Sequence, residues 1–197
     1  MSDQTAALQT LLDKQEITEL LTRYLRSVDR GDVDTLRGCY LPEATEDHGG
    51  LFAGPAVEYV DSITRDLTHP RARTSHNMTN LLIELNGDVA TAESYCITFA
   101  RIKADGSYYH SFIGARMIDR LERRDGRWGI AHRQLIWDWN HDAPAAEHWL
   151  QGLLAPDPPR PPHERQVPRR PDLRPPHTTS LNVVVDPAYV VNPGSWS

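Results

Sequence analysis

Two residues of this chain invite chemistry, Asp29 and His76. Asp29 closes a stretch in which Leu8, Leu12, Ile17, Leu20, Leu21, Tyr24, Leu25 and Val28 recur mostly at three- and four-residue steps, the period of an amphipathic helix. It falls four residues after Leu25 and eight after Leu21, so on a helix it points where they point. A carboxylate facing a core is costly unless it is paired or used. His76 stands just ahead of a long run of strand-like sequence. A histidine titrates near neutral pH and can take a proton there. A carboxylate bonded to one ring nitrogen would set its tautomer and stabilise the imidazolium that forms. Such a pair can take a proton beside a carbonyl, giving isomerisation or aldol-type cyclisation, or beside a leaving group, giving elimination. None of these requires a cofactor. The plainer reading is that Asp29 caps the turn at Arg30-Gly31-Asp32 in water and that His76 is a hydrogen-bonded residue at a strand entrance.

Other polar and aromatic residues could complete such a site. Tyr24 lies five residues before Asp29, roughly 140° around a helix, so the two would flank a pocket. Its phenol could donate to a developing oxyanion, or simply belong to the core. Asp47-His48 beside Gly49-Gly50 could supply a second acid, or mark a turn. Trp137 and Trp139 alternate with Ile136 and Asp138, which on a regular strand puts both indoles on one face. If that face lines a cavity, the substrate is hydrophobic; if not, the indoles are core. His110 and His132 read as surface strand residues. With nine scattered histidines but neither HExxH nor CxxC, no metal is expected.

These residues need elements to bring them together. The spacing predicts a helix from Thr5 to Arg30 and a second over Val33–Tyr40, entered through Asp32 and ended by Leu41-Pro42-Glu43. Residues 44–54 read as a short strand with Gly-rich turns, and Pro55 suits the start of a third helix over Ala56–Leu67. Then the period changes. Asn86-Gly87, Asp105-Gly106 and Asp125-Gly126 each suit a tight turn between antiparallel strands. They separate strands expected at Met78–Leu85, Ala90–Lys103, Tyr108–Arg123 and Trp128–Trp139. Long strands in one meander must twist and curl. The expected fold is therefore α+β: helices covering the concave face of a strongly curved, mostly antiparallel sheet, with a pocket between them.

Composition bounds the partners. The 197 residues carry a net charge of −6 and no basic stripe in the patterned body, which argues against nucleic acid. Apolar runs are too short for a membrane-spanning helix, and Met1-Ser2-Asp3-Gln4 does not open a signal peptide. Cys39 and Cys96 are expected to be buried thiols of a cytoplasmic protein. The chain divides near Ala143, since 12 of its 15 prolines lie at or beyond Pro144. Residues 1–142 form the patterned domain. Residues 143–197 read as a proline-rich arm, in which Leu181–Val191 has the apolar density of a docking strand or belongs to a disordered tail.

Tyr24-x4-Asp29-x-Gly31-Asp32, Tyr40, Asp47-His48-Gly49, His76-x2-Thr79-Asn80 and Arg124-Asp125-Gly126-x-Trp128, in that order, resemble the SnoaL-like branch of the NTF2-like superfamily over residues 8–142. The resemblance implies a cone-shaped domain. It also implies relationship to a polyketide cyclase, scytalone dehydratase, a hexachlorocyclohexane dehydrochlorinase, a bile-acid dehydratase, ketosteroid isomerase relatives and members that only bind or scaffold. In the dehydrochlorinase and the two dehydratases an Asp near the end of the first helix pairs with a His opening the sheet, which matches Asp29 and His76, and in the bile-acid dehydratase a Tyr five residues before that Asp matches Tyr24. A third acidic or His residue of the dehydratases falls near Thr98 or Phe99. An Arg near the end of the last strand is expected to be replaced around Ile136–Trp137. The resulting expectation is a cofactor-independent lyase or isomerase acting on a hydrophobic oxygenated small molecule. Its catalytic residues would be His76, Asp29 and Tyr24, with His48, Asp47, Tyr40, Thr98 and Trp137 binding substrate. The alternatives are a non-catalytic ligand-binding or subunit-assembly module and, ranked low, an epoxide hydrolase. A homo-oligomer, dimer or trimer, is expected, with the C-terminal arm contacting a neighbour.

Overall fold

The computed structural model describes residues 3–67, 74–104 and 107–145. The proline-rich arm, with Leu181–Val191 and the Asp105-Gly106 turn, lies outside the described residues. Helix α1 spans Asp3–Arg30. Its apolar stripe becomes core only from Ile17 onward, where Ile17, Leu20, Leu21, Tyr24 and Leu25 are buried. Leu8 and Leu12, expected in the same stripe, are exposed, as is Leu11. The helix ends at Gly31, whose φ of 64° suits a residue without a Cβ, and the Asp32 amide returns to the Ser27 carbonyl at 2.9 Å.

Asp32 then caps α2 (Val33–Arg37) by accepting from the Thr35 amide at 3.2 Å. This short helix stops three residues before the expected Tyr40. Tyr40 instead opens strand β1 (Tyr40–His48) and sits opposite Ile130. The pairing shifts register between Tyr40 and Thr45, which accommodates Pro42, a residue unable to donate to a ladder. A tight turn at Gly49-Gly50 leads to β2 (Ala53–Pro55) and then α3 (Ala56–Leu67).

Four long strands follow: β3 (Thr74–Asn86), β4 (Val89–Ala104), β5 (Ser107–Arg124) and β6 (Arg127–Pro144). Each contains the stretch expected from sequence and extends it at both ends. His76 therefore lies within β3 rather than ahead of it. The six strands form one sheet in the order β2-β1-β6-β5-β4-β3, antiparallel throughout except for β1 beside β6. Helix α1 packs on β3 and β6, and α3 on β1. The β5–β6 end is tied to α1 by Asp13, which accepts from Arg123 at 2.7 Å and from the buried Trp128 indole at 3.3 Å.

Candidate active site

Between α1, α3 and the concave face of the sheet lies a cavity of about 160 Å³. Leu25, Val28, Ala100, Ile113, Ala115, Met117 and Leu135 supply most of its wall. A few polar groups break that apolar surface, the usual composition of a small-molecule site.

The first polar group is the pair singled out by sequence. Asp29, one residue from the end of α1, meets His76 near the start of β3. Its two carboxylate oxygens accept from the His76 backbone amide at 2.9 Å and from His76 Nδ1 at 2.6 Å. Burial pushes the Asp29 carboxyl upward, but the hydrogen bonds and charge of His76, with help from Thr74, outweigh it and hold its pKa below the ordinary value. Asp29 is thus not the cap of the following turn; Asp32 is. Because a carboxylate only accepts, the ring proton sits on Nδ1. His76 lines the cavity, and its Nε2 makes no hydrogen bond among the described residues.

The second group was missed by sequence reasoning. Arg133 on β6 lines the cavity and is 1% exposed. Ile136 and Trp137 stand where an arginine was expected to be replaced, but a guanidinium reaches the cavity from Arg133, three residues before Ile136. Asp119, directly across from it on β5, accepts from Nε at 2.6 Å and from Nη2 at 2.9 Å. The guanidinium carbon lies 3.9 Å from the centroid of the Tyr24 ring. Burial alone would depress the Arg133 pKa, but the Asp119 charge and hydrogen bonds hold it above that of an ordinary arginine. Nη1 is buried without a hydrogen-bond partner among the described residues. A buried charged donor left unpaired carries a desolvation cost, and a ligand oxygen or halide could relieve it.

The third group runs along one side of the cavity. Tyr40 Oη donates to Glu46 Oε2 at 2.6 Å and lies 3.3 Å from Tyr24 Oη. Glu46 Oε1 lies 2.8 Å from His48 Nδ1, and His48 Nε2 lies 3.3 Å from Tyr59 Oη. Burial raises the pKa of Tyr24 and drives those of Tyr40 and Tyr59 well above the ordinary phenol value. All three phenols keep their protons as donors.

Of the other expected site residues, Tyr24, His48, Thr98 and Trp137 line the cavity. Thr98 faces it opposite His76 on the neighbouring strand, while Phe99 packs on the far side against His110 and Phe112. Tyr40 stands behind the wall, bonded to Glu46. Asp47 is the correction. Strand alternation turns it away from the face that Glu46 and His48 share, and the buried carboxylate is Glu46. The two tryptophans also part company. A bulge at Asp138 sets Trp137 opposite Ala115 but Trp139 opposite Gly114. Trp137 therefore joins the cavity, while Trp139 lies over Gly114, whose missing Cβ leaves room for the indole. Cys96, expected only as a buried thiol, also lines the cavity. The described residues include no cluster of three or more His, Cys, Asp or Glu arranged for a metal.

A helix-covered, curved, open sheet enclosing a hydrogen-bonded His–Asp pair and a buried arginine defines an NTF2-like cone. The sequence matches the SnoaL-like domain over residues 9–134, and the chain belongs to that family. Nothing among curated proteins matches it significantly. Among solved structures it is similar to a putative scytalone dehydratase from Novosphingobium aromaticivorans, with 15% identity, a TM-score of 0.60 and coverage of 69% of this chain and 91% of that one. It is similar to a hexachlorocyclohexane dehydrochlorinase from Novosphingobium barchaimii, with 20% identity, a TM-score of 0.61 and coverage of 72% and 95%. A protein of unknown function from Mycobacterium tuberculosis is 27% identical, with a TM-score of 0.55 over 67% and 75% of the two chains. The fold is thus one that carries dehydratases and dehydrochlorinases, enzymes of the lyase type. No helix among the described residues is long and apolar enough to cross a membrane.

Proposed function

We propose that this protein is a cofactor-independent lyase or isomerase acting on a hydrophobic, oxygenated small molecule. The observation that carries the reading is the pairing of His76 with Asp29 in the wall of a cavity that Arg133, its Nη1 unpartnered among the described residues, also lines. His76 Nε2 takes a proton from a carbon made acidic by a neighbouring carbonyl. Asp29 holds the ring in the tautomer that leaves Nε2 bare and balances the imidazolium that results. Arg133, with Tyr24 beside it, stabilises the negative charge that develops on the substrate oxygen or leaving group. A preorganised buried donor does this without reorganising. The apolar remainder of the wall favours a hydrophobic ring or chain.

A binding or assembly module would not need a base held by a carboxylate. A separated or fully solvated Asp29 and His76 would have favoured that alternative; the two are bonded and mostly screened from water. A panel of hydroxylated polyketides, steroids and aromatics, incubated without cofactor, tests the reading. Turnover by the wild type that is lost in His76→Ala and Asp29→Asn supports it. Ligand binding without conversion, or equal conversion by the variants, returns the site to a binding role. The outer sheet face, with Tyr95, Ile97, Phe112 and Trp139 exposed, is proposed to receive a second copy of the chain. Sedimentation of Ile97→Asp as monomer where the wild type associates would support that assignment.

A further inference from the structure

The cavity is lined by two histidines, each held at Nδ1 by a carboxylate. His76 is held by Asp29 at 2.6 Å, and His48 by Glu46 at 2.8 Å. They differ in what meets the other ring nitrogen. Nε2 of His76 meets no hydrogen-bonding group among the described residues, which suits a neutral ring waiting for a proton. Nε2 of His48 lies 3.3 Å from the Tyr59 oxygen, which can accept. Both His48 nitrogens therefore have acceptors, and an imidazolium is satisfied there.

Charge balance points the same way. Glu46 is fully buried, with its side chain 0% exposed. Arg133, the buried cation of the cavity wall, gives two hydrogen bonds to Asp119 and is balanced by it. Among the described residues Glu46 has one ion-pair partner, His48. A buried carboxylate without a countercharge is strongly disfavoured, and a protonated His48 supplies that charge. The groups facing His48 are Glu46 from β1, Tyr59 from α3, where the rings stack with centroids 4.7 Å apart, and Trp137 from β6, edge-on at 5.7 Å. Tyr40, Tyr24 and Arg133 follow in turn along the same network, Tyr40 on Glu46, Tyr24 beside Tyr40 and Arg133 over the Tyr24 ring.

Building on the assignment of His76 as base, we infer that His48 is the catalytic acid of the elimination, handing its proton to a hydroxyl leaving group, and that Glu46 is its positioning residue. His76 Nε2 removes the proton α to the carbonyl. The C–H electron pair becomes the carbon–carbon double bond. The β C–O bond breaks, its electron pair staying with oxygen, and the departing hydroxyl takes the Nε2 proton of His48. The products are the α,β-unsaturated carbonyl compound and water. His76 then gives up its extra proton, and His48 regains one, by exchange with solvent. No oxidant, reductant or metal enters the balance.

The test uses the full chain and two probes, 4-hydroxy-4-phenylbutan-2-one and its acetate ester. Both yield the same enone, read by absorbance. Acetate leaves without protonation, whereas hydroxide does not. Exchange of the α-hydrogens in D2O, read by NMR, reports the base alone. Wild type should exchange the α-hydrogens and eliminate both groups. His48→Asn should slow loss of hydroxyl by about 10²-fold or more, while loss of acetate and α-exchange stay within about threefold. Glu46→Gln, which keeps the side-chain shape, should show the same split more weakly. A merely structural role for Glu46 would instead slow the loss of both leaving groups alike. The inference is overturned if His48→Asn slows both probes equally or leaves dehydration unchanged. It is also overturned, with the base assignment intact, if wild type exchanges the α-hydrogens but does not dehydrate the hydroxy ketone. Absence of exchange in wild type, or exchange undiminished in His76→Ala, removes the base assignment itself and this proposal with it.

Discussion

Replacing Asp29 by asparagine tests the site with the smallest change of shape. In the wild type one carboxylate oxygen receives the His76 amide at 2.9 Å and the other receives Nδ1–H at 2.6 Å. Asparagine keeps one acceptor oxygen and replaces the other by an NH2 donor. If the oxygen stays on the backbone amide, the NH2 faces Nδ1 and the ring proton moves to Nε2. The base is then blocked on the side that faces the cavity. A buried His–Asp pair treated this way in a serine protease loses about 10⁴ in kcat, so a fall of about 10³–10⁴ is expected here, or about 4–5.5 kcal/mol of transition-state stabilisation. Folding loses less. A hydrogen bond to a charged group contributes about 1.5–3 kcal/mol, and this carboxylate is 22% exposed, so the cost should be about 1–2 kcal/mol, or about 2–8 °C in Tm. The pH dependence carries a sign. The folded-state pKa of Asp29 lies below its reference value of 3.8, so its contribution to stability is present above about pH 4 and lost as pH falls through the folded pKa. Chemical denaturation at pH 7 and at pH 3 should therefore show the gap between wild type and Asp29→Asn narrowing in acid. Steady-state rates with whatever substrate the panel identifies, beside far-UV melts, give the rest. An asparagine variant that folds and turns over within about tenfold of the wild type would refute the reasoning.

Arg133→Met should cost about 3–5 kcal/mol of stability, because it leaves Asp119 buried without its partner. Arg133→Met combined with Asp119→Leu should recover much of the melting temperature without recovering activity, which separates the fold from the chemistry. Gly49 has a φ of 58°, and a Cβ there would strike the Trp137 indole, whose Nε1 donates to the Gly49 carbonyl at 3.1 Å. Gly49→Ala should cost about 1–2 kcal/mol from backbone strain alone and should alter Trp fluorescence; an unchanged melt and spectrum would contradict this account of the turn. Burial pushes the Cys39 thiol up to about 11 and raises that of Cys96. Neither should react with iodoacetamide at pH 8 until the protein is unfolded, as mass spectrometry of the labelled chain would show.

Much of the architecture is legible in the chain because it depends on local period and turn chemistry. The Asn86-Gly87 and Asp125-Gly126 turns sit where they must between long apolar-rich runs, and α3 runs over the residues its pattern predicts. Asp29 could be singled out because a carboxylate in phase with Leu21 and Leu25 breaks the helix pattern in a way that demands a partner. His76 could be matched to it only through family resemblance, since 47 residues separate them and no local signal spans that distance.

The rest was decided by the tertiary structure, and the reason is the same in each case. A strand has two faces, and sequence shows their alternation but not which one is concave. The face of β1 that carries Glu46 became the buried one only when that strand paired parallel to β6, so the neighbouring Asp47 was the candidate named from sequence. A one-residue bulge at Asp138 then moved Trp139 out of phase with Trp137, which unbroken alternation does not anticipate. Nothing in the sequence around Arg133 singles it out. It is buried because Asp119, 14 residues earlier, faces it across the β5–β6 ladder and supplies the countercharge. Local periodicity determined the helices, the hairpins and the residue out of place in the core. Strand pairing, with its register and its bulges, decided which charges and which indole enter the cavity.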